Sequence, residues 1–231
     1  MEMGQVNGIK TELTTYEGFK PIGSKTAFKG IFKGNNNEIK NLYEDKKTLN
    51  VLGLFANINS AILQDLTVTG NITNTLSANA YTYEGGIVAN ATGNSTIKDV
   101  NNKVNVSNNF GNGAIAGIIG RCNGEINIEN CCNAASINGS QHTGGIVGVT
   151  GNTVQIKKCE NLGEVKSELR TDTRAGGIIA RIYSGETTII NSYNKIQVKG
   201  TSMVGGIAGY GTGSINNCSN NGEMSINKII R

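Results

Sequence analysis

The sequence predicts an all-β protein, a right-handed parallel β-helix (a β-solenoid) of about six to seven coils. Three observations predict it. A glycine signature recurs about every 30 residues, a second signature with fixed internal spacing follows each glycine signature, and turn-forming Gly and Asn pairs are spread along the whole chain. A chain of this kind turns at regular intervals and places short β-forming runs between the turns.

The glycine signature is a glycine followed by two apolar or small residues. Its six copies are Gly53-Leu54-Phe55, Gly86-Ile87-Val88, Gly117-Ile118-Ile119, Gly145-Ile146-Val147, Gly177-Ile178-Ile179 and Gly206-Ile207-Ala208. Successive copies are separated by 33, 31, 28, 32 and 29 residues. Such a period is too short for a globular domain and fits one coil of a solenoid whose neighbours stack in parallel.

The second signature consists of three ladders, that is, three sets of equivalent residues from successive copies. An apolar residue is followed three positions on by a small or apolar one, and two positions further on by an asparagine. The ladders are Leu63, Ile97, Ile128, Ile156, Ile189, Ile215; Leu66, Val100, Cys131, Cys159, Ser192, Cys218; and Asn102, Asn133, Asn161, Asn194, Asn220, with Val68 in the first copy. We expect equivalents to stack about 4.8 Å apart inside the solenoid, with the asparagine amides bonded to one another and to the bent backbone.

Composition weighs against the other architectures. The 231 residues include 32 Gly, 1 Pro and no Trp, and 37% are hydrophobic. Runs rich in Ile and Val disfavour disorder. A helical solenoid is disfavoured because Asn-Gly pairs interrupt the copies and apolar residues lack helical spacing. A β-propeller blade needs about 40 residues per copy.

The domain organisation follows from where the repeat begins. Residues 1–50 have atypical spacing and carry Phe19, Pro21, Phe28 and Phe32, so we expect an N-terminal cap and first coil there, followed by the solenoid repeats over residues 51–231. Solenoids need capped ends, and the last strand stops without a polar cap. We therefore expect the natural chain to continue into additional domains, or this end to pack against another copy.

The segment that opens the repeats resembles the GLUG-motif repeat family of bacterial surface proteins, which also occurs in the accessory regions of immunoglobulin A1 metalloproteases. Residues 28–43 read FKGIFKGNNNEIKNLY, similar to the family pattern F-x-G-x-F-D-G-N-G-x-x-I-x-N-L-Y, and Val51-Leu52-Gly53-Leu54-Phe55 resembles the G-L-F motif that follows it. Lys33 and Asn36 depart from the pattern at the turn. The resemblance implies an exported bacterial protein with a β-helical, adhesin-like module, and no particular ligand.

Charge and hydropathy exclude several classes of partner. The formal net charge is +4, and neither sign gathers into a block, so we expect no nucleic-acid partner. No apolar run reaches the roughly 18 residues of a membrane-spanning helix, and no signal peptide precedes the repeats, so we expect no membrane insertion. Either the protein is cytoplasmic, or it is secreted or surface-displayed and its export signal has been removed.

The residues that carry catalysis and metal binding are sparse. His142 is the single histidine, and its place before a glycine turn predicts an exposed side chain without a role. Four cysteines, Cys122, Cys131, Cys159 and Cys218, fall on inward positions and are expected to be small buried hydrophobes. Cys132 falls on an outward position and is the one thiol expected to be accessible. We predict no metal and no cofactor.

Acidic residues do not cluster as a polysaccharide-cleaving β-helix requires. Asp65 and Asp99 share one outer column, but Asn130, Lys158, Asn191 and Asn217 continue it. The sequence therefore predicts a binding or scaffold module without catalytic residues. The alternatives are a polysaccharide-active enzyme and an accessory segment of a surface protease, whose H-E-x-x-H motif is absent here.

Copy length varies in one place, between the strand after each asparagine and the next glycine turn. The long inserts are 73–84, 107–113 and 166–174. In a parallel solenoid they project from one edge, where repeats of this kind usually bind. That edge carries Asp172 and the candidate binding residues Tyr81, Tyr83, Phe110, Arg170 and Arg174. Their aromatic faces and guanidinium groups suit a surface glycan or an acidic segment of a surface protein.

Overall fold

The structure is a computed structural model that describes residues 18–46, 50–76, 81–109, 112–139 and 141–227. It is all-β, with 66% strand and no helix among these residues. The strands run in parallel from coil to coil, so the predicted β-solenoid is confirmed.

The strands are short, except where one strand continues through several sides of a coil. In chain order they are β1 (Ile31–Lys46), β2 (Val51–Leu52), β3 (Phe55–Asn59), β4 (Ile62–Asn74), β5 (Tyr81–Gly85), β6 (Val88–Asn108), β7 (Asn112–Ala116), β8 (Ile119–Glu129), β9 (Cys132–Asn133), β10 (Ile137–Gly139), β11 (His142–Gly144), β12 (Val147–Thr150), β13 (Val154–Lys157), β14 (Glu160–Asn161), β15 (Val165–Ser167), β16 (Arg174–Gly176), β17 (Ile179–Ile182), β18 (Thr187–Ile190), β19 (Tyr193–Asn194), β20 (Val198–Gly200), β21 (Met203–Gly205), β22 (Ala208–Tyr210), β23 (Ser214–Asn216), β24 (Ser219–Asn220) and β25 (Met224–Ile226).

Two stacks of strands make the walls of the solenoid. The smaller sheet has the order β2-β5-β7-β11-β16-β21, and the larger sheet contains the other strands. The chain makes about five full turns between β2 and β21. The sequence predicted six to seven coils because it counted the incomplete coils at the two ends as whole ones.

Strand register confirms the ladders predicted from the repeat. Leu63 pairs with Ile97, and Ile97 with Ile128, in adjacent coils. The ladder then continues through Ile156 and Ile189. These side chains are fully buried and join one continuous core, which no single coil could bury alone.

The asparagine ladder consists of Asn102, Asn133, Asn161, Asn194 and Asn220. In the first four, the side-chain Nδ2 donates to Oδ1 of the asparagine in the next coil, over 2.7–2.8 Å. Each Nδ2 also donates to the backbone oxygen two residues further along its own coil, for example from Asn161 to Gly163 at 2.9 Å. The polar column is therefore satisfied although it lies inside the protein.

Glycine is required in the later copies of the glycine signature because the backbone passes close to this ladder. A Cβ on Gly117 would overlap the side chain of Asn133, and a Cβ on Gly145 would overlap that of Asn161. Neither glycine has a positive φ. Close approach, and not left-handed backbone, is thus the reason for glycine at this corner.

The two ends of the described solenoid differ. The rings of Phe28 and Phe32 pack on Phe55, with centroids 5.3 and 5.5 Å away. In the last coil Ile215 and Met224 are exposed. None of the described residues forms a helix long and apolar enough to span a membrane.

Candidate functional site

A solvent-facing groove of about 510 Å³ lies across the strands where the two sheets meet. We call it the tyrosine–arginine groove. Its lining residues come from successive coils and are mostly polar or aromatic: Tyr81, Tyr83, Arg121, Asn123, Gln141, His142, Val149, Thr150, Gly151, Arg181, Tyr183 and Ser184. The volume is within the range of sites that hold small ligands or segments of a polymer.

Two columns of equivalent positions, one on each side of the glycine corner, contribute Tyr83, His142, Arg121, Val149 and Arg181 to this groove. The column before the glycines, on the smaller sheet, is Tyr83, Ala114, His142, Arg174 and Met203. The column after them, on the larger sheet, is Asn90, Arg121, Val149, Arg181 and Tyr210. Because the corner bends the chain, the outward side chains of the two columns face a shared space.

Arginine side chains in the groove lie over tyrosine rings. The guanidinium carbon of Arg121 is 5.0 Å from the ring centroid of Tyr83, and that of Arg181 is 4.6 Å from the ring of Tyr183. Tyr81 meets Tyr83 in an edge-to-face contact, with centroids 5.4 Å apart. These contacts hold the guanidinium groups in place over the rings.

His142 lies in this groove and is not the exposed turn residue that the sequence predicted. Its side chain is 1% exposed because β11 continues the smaller sheet between β7 and β16. Burial, with Arg174 and Arg181 nearby, lowers the pKa of His142 to about 3, so the imidazole is neutral. Arg181 Nη1 lies 3.4 Å from Nε2 of His142.

Polar atoms without a hydrogen-bond partner concentrate around the groove. Buried atoms of this kind include Nδ1 of His142, Oε1 of Gln141 and Nε of Arg181. Nε of Arg174 and Oδ1 of Asn90 belong to the two columns and are also unpartnered. Such buried atoms cost free energy, and a polar ligand would satisfy them only if the side chains that cover them moved aside.

The groove is electropositive. Two of its twelve lining residues are arginines and none is acidic. The acid in contact with a lining residue is Asp172, which accepts from Gln141 at 3.3 Å and from Arg170 at 3.2 Å. Those donors lower the pKa of Asp172, although partial burial opposes them, and its charge is matched by the neighbouring arginines.

The structure separates the binding residues that the sequence proposed. Tyr81 and Tyr83 line the groove. Arg170 and Arg174 lie outside its lining because both bind Asp172 in their own loop, with Arg174 Nη1 2.9 Å from the backbone oxygen of Asp172. Phe110 lies outside the described residues.

Sequence reasoning missed Arg121, Arg181 and Tyr183, because it looked for binding residues only in the long inserts. A signal for the two arginines was present. Both stand four positions after a signature glycine, at Gly117 and Gly177. Projecting that outward position through all copies would have placed them in one column.

Beneath the groove tyrosines lies a buried carboxyl group. The strand β5 alternates, so Tyr81 and Tyr83 point outward while Glu84 is fully buried. Oε1 of Glu84 accepts from Asn74 at 2.7 Å and from Asn108 at 2.5 Å, whereas Oε2 has no partner. Burial raises the pKa of Glu84 to about 7, although these donors oppose the shift.

The cysteines follow the predicted ladder with two differences. Cys122, Cys131 and Cys159 are buried, as expected, whereas Cys218 in the last coil is partly exposed. Cys132 faces outward but is half-buried between coils. Burial, followed by the nearby charge of Glu160, raises the pKa of Cys132 to about 11, so its thiol is protonated at neutral pH. Within the described ranges, no three His, Cys, Asp or Glu residues are grouped to hold a metal ion.

A second polar surface lies on another wall of the solenoid, around Tyr193. Lys195 lies 4.8 Å from the Tyr193 ring centroid and pairs with Glu160 at 2.6 Å. Because the acid on this wall neutralises the lysine, the surface offers less unpaired charge than the tyrosine–arginine groove.

The fold and the groove together define a class: a β-solenoid with a one-sided polar groove across its coils. No family model, curated protein or solved structure matches this chain. The function must therefore be inferred from the chemistry of the groove.

Proposed function

We propose that this chain is a non-catalytic, adhesin-like binding module, displayed on the surface of an exported bacterial protein, that holds a surface glycan or protein in the tyrosine–arginine groove. The single observation that carries the proposal is the groove itself. It combines exposed tyrosine rings, positioned guanidinium groups and unpartnered polar atoms on one face. Repeat proteins commonly bind through such one-sided surfaces.

The chemistry of the groove favours binding over catalysis. A polysaccharide-active enzyme, the alternative, needs paired carboxylates or a base near neutral pKa. The lining residues include no carboxylate, and His142, with its pKa lowered to about 3, is a very weak base. The acid nearest to the groove tyrosines in the chain, Glu84, is fully buried.

Surface display is supported by the resemblance of residues 28–43 and 51–55 to GLUG-motif repeats. The same resemblance supports further domains in the full-length protein, among which a surface protease is an alternative. Brief proteolysis of intact cells with an external protease tests the location. Loss of this chain from whole cells, with a cytoplasmic marker retained, is the expected result.

The binding proposal is tested by comparing two surfaces of the same protein. The groove variant carries Tyr81→Ser and Tyr183→Ser, and the matched variant carries Tyr193→Ser with Lys195→Gln on the other wall. Glycan arrays and binding to intact cells are the measurements. We expect the groove variant to lose binding and the other variant to keep it.

Both variants should melt within a few degrees of the original protein, because the changed side chains are exposed or partly exposed. Binding lost only in the variant at Tyr193 and Lys195 would contradict the assignment of the groove.

A further inference from the structure

Positive charge recurs along the groove at a two-coil interval. Arg121 and Arg181 occupy one column, with Val149 between them. Adjacent coils lie about 4.8 Å apart, so the two backbone positions are about 9.6 Å apart. Arg121 lies over Tyr83 of the preceding coil, whereas Arg181 lies between His142 of the preceding coil and Tyr210 of the following one. The spacing of the two guanidinium groups is therefore set by the two-coil interval of the backbone positions that carry them.

Between the two arginines their column carries an apolar residue, although the same coil also brings Gln141, His142 and Thr150 to the groove. Val149 is 8% exposed and separates the charged positions. Tyr83 flanks the groove beside Arg121, and Tyr183 flanks it beside Arg181. This alternation of charged, apolar and charged positions, edged by aromatic rings, suits a chain of sugar rings, whose C–H faces stack on tyrosine and whose acidic substituents bind arginine.

The backbone of the groove argues against an extended peptide as its ligand. Peptides usually add to a sheet through free backbone N–H and C=O groups at an edge. Here the strands on the floor pair with coils on both sides, as β12 does with β8 and β17. The groove crosses these paired strands and offers side chains, so it lacks the edge that a peptide strand would need.

We infer that the groove takes an acidic polysaccharide that lies along the solenoid axis, with acidic groups on alternate sugars bound by Arg121 and Arg181 and the intervening sugar over Val149. This inference rests on the proposed function and specifies its ligand. Carboxylate and sulfate both match the planar guanidinium fork. Nε of Arg181 is buried and has no hydrogen-bond partner, so the Nη groups are the part of this guanidinium that such a group would meet first.

The test measures binding of the whole chain to polymers of matched length by isothermal titration calorimetry. The probes are hyaluronan, whose uronate alternates with a neutral sugar, chondroitin sulfate, which adds sulfate, and neutral dextran. We expect hyaluronan to bind, more weakly as salt is raised, and dextran not to bind. Because chondroitin sulfate carries the same alternating uronates, equal binding of the two polymers would identify a site for carboxylate alone. Tighter binding of chondroitin sulfate would show that the site also takes sulfate, and binding of hyaluronan alone that the groove has no room for the sulfate.

Two arginine variants test the spacing. Arg121→Gln and Arg181→Gln should each weaken hyaluronan binding at least about tenfold, because each removes a charge-assisted contact. The control, Lys98→Gln with Lys103→Gln, removes two charges from exposed positions of β6 outside the groove lining and should change affinity less than about twofold. Hyaluronan fragments with one uronate should bind much more weakly than those with two.

Several results would overturn the inference: dextran binding as tightly as hyaluronan, unchanged affinity in both arginine variants, poly-glutamate competing as well as hyaluronan, or no binding of either acidic polymer. If a different ligand then still depends on Tyr81 and Tyr183, the proposed function survives and only the ligand class is wrong. If the ligand found binds the variant with Tyr81→Ser and Tyr183→Ser as tightly as the original, the proposed function fails as well.

Discussion

The asparagine ladder and the tyrosine–arginine groove are both polar and both run from coil to coil. They differ in whether their polar atoms are hydrogen-bonded within the protein. In the ladder, one residue type repeats, and each amide is bonded to its neighbours above and below. In the column that contributes Tyr83 and His142 to the groove, equivalent positions hold Tyr83, Ala114, His142 and Arg174, and buried polar atoms lack partners. The ladder asparagine recurs in every copy but the first, which has Val68, whereas the residues of the groove differ from coil to coil.

This difference separates stability from function. A column whose polar atoms are all hydrogen-bonded within the protein adds to the free energy of unfolding, because removing a member leaves its partners buried and unbonded. A column with unpartnered atoms lowers that free energy until a ligand satisfies them. Replacing a polar residue by an apolar one should therefore lower the free energy of unfolding in the ladder and leave it unchanged, or raise it, in the groove.

The largest effect is expected in the ladder. Asn161→Leu removes the acceptor of Asn133 and the donor to Asn194, and leaves the backbone oxygen of Gly163 unbonded. Each orphaned buried group costs about 1–3 kcal/mol, so we expect a loss of at least about 3 kcal/mol. Urea denaturation followed by circular dichroism measures it.

The control for this change is the adjacent outward residue. Glu160→Gln removes a surface ion pair with Lys195, whose side chain is 53% exposed. Its cost should stay below about 1 kcal/mol. Equal losses in the two variants would mean that the ladder is not the stabilising column described above.

The second effect concerns Glu84, the buried acid beneath the groove. Its pKa is raised to about 7 in the folded protein, above the ordinary value of 4.5 in the unfolded chain. The folded state then holds the proton more tightly, so this contribution is fully present below about pH 4.5 and is lost as the pH rises to about 7. The loss is on the order of 3 kcal/mol.

Glu84→Gln keeps an acceptor for Asn74 and Asn108 and removes the ionisation. The difference in stability between the original protein and this variant should shift by about 3 kcal/mol between pH 4.5 and 8, in favour of the variant at high pH. The comparison must be a difference, because the lowered pKa of His142 makes both proteins less stable as the pH falls below about 6.5. Parallel stability curves would contradict a raised pKa at Glu84.

The smallest effect, and the sharpest contrast with Asn161, is expected at His142. His142→Leu replaces a buried ring with an unpartnered Nδ1 by an apolar side chain. At pH 7.5 we expect the free energy of unfolding to be unchanged or to rise by about 1 kcal/mol. Binding of hyaluronan should weaken several-fold, because Arg181 loses the acceptor that orients it. A loss of stability as large as that of Asn161→Leu would show that His142 belongs to the structural framework.

The fold could be predicted from the sequence because the same pattern of residues recurs in every copy. The spacing of Ile128, Cys131 and Asn133 recurs in each coil, and parallel stacking follows from the need to bury these residues. The register of the ladders was therefore predictable residue by residue. Tyr81 and Tyr83 were also predictable as groove residues, since they end a long insert on the same edge.

The rest of the groove was decided by tertiary structure. His142 lies beside a glycine turn in the sequence, which predicts exposure, yet strands of the coils above and below bury it. Residue type alone does not show which arginine lines the groove. Only the fold shows that Arg170 binds Asp172, whereas Arg181 faces the groove. A sequence determines which face of a strand a residue occupies because strand alternation is local, but burial and pairing between coils depend on residues about 30 positions away.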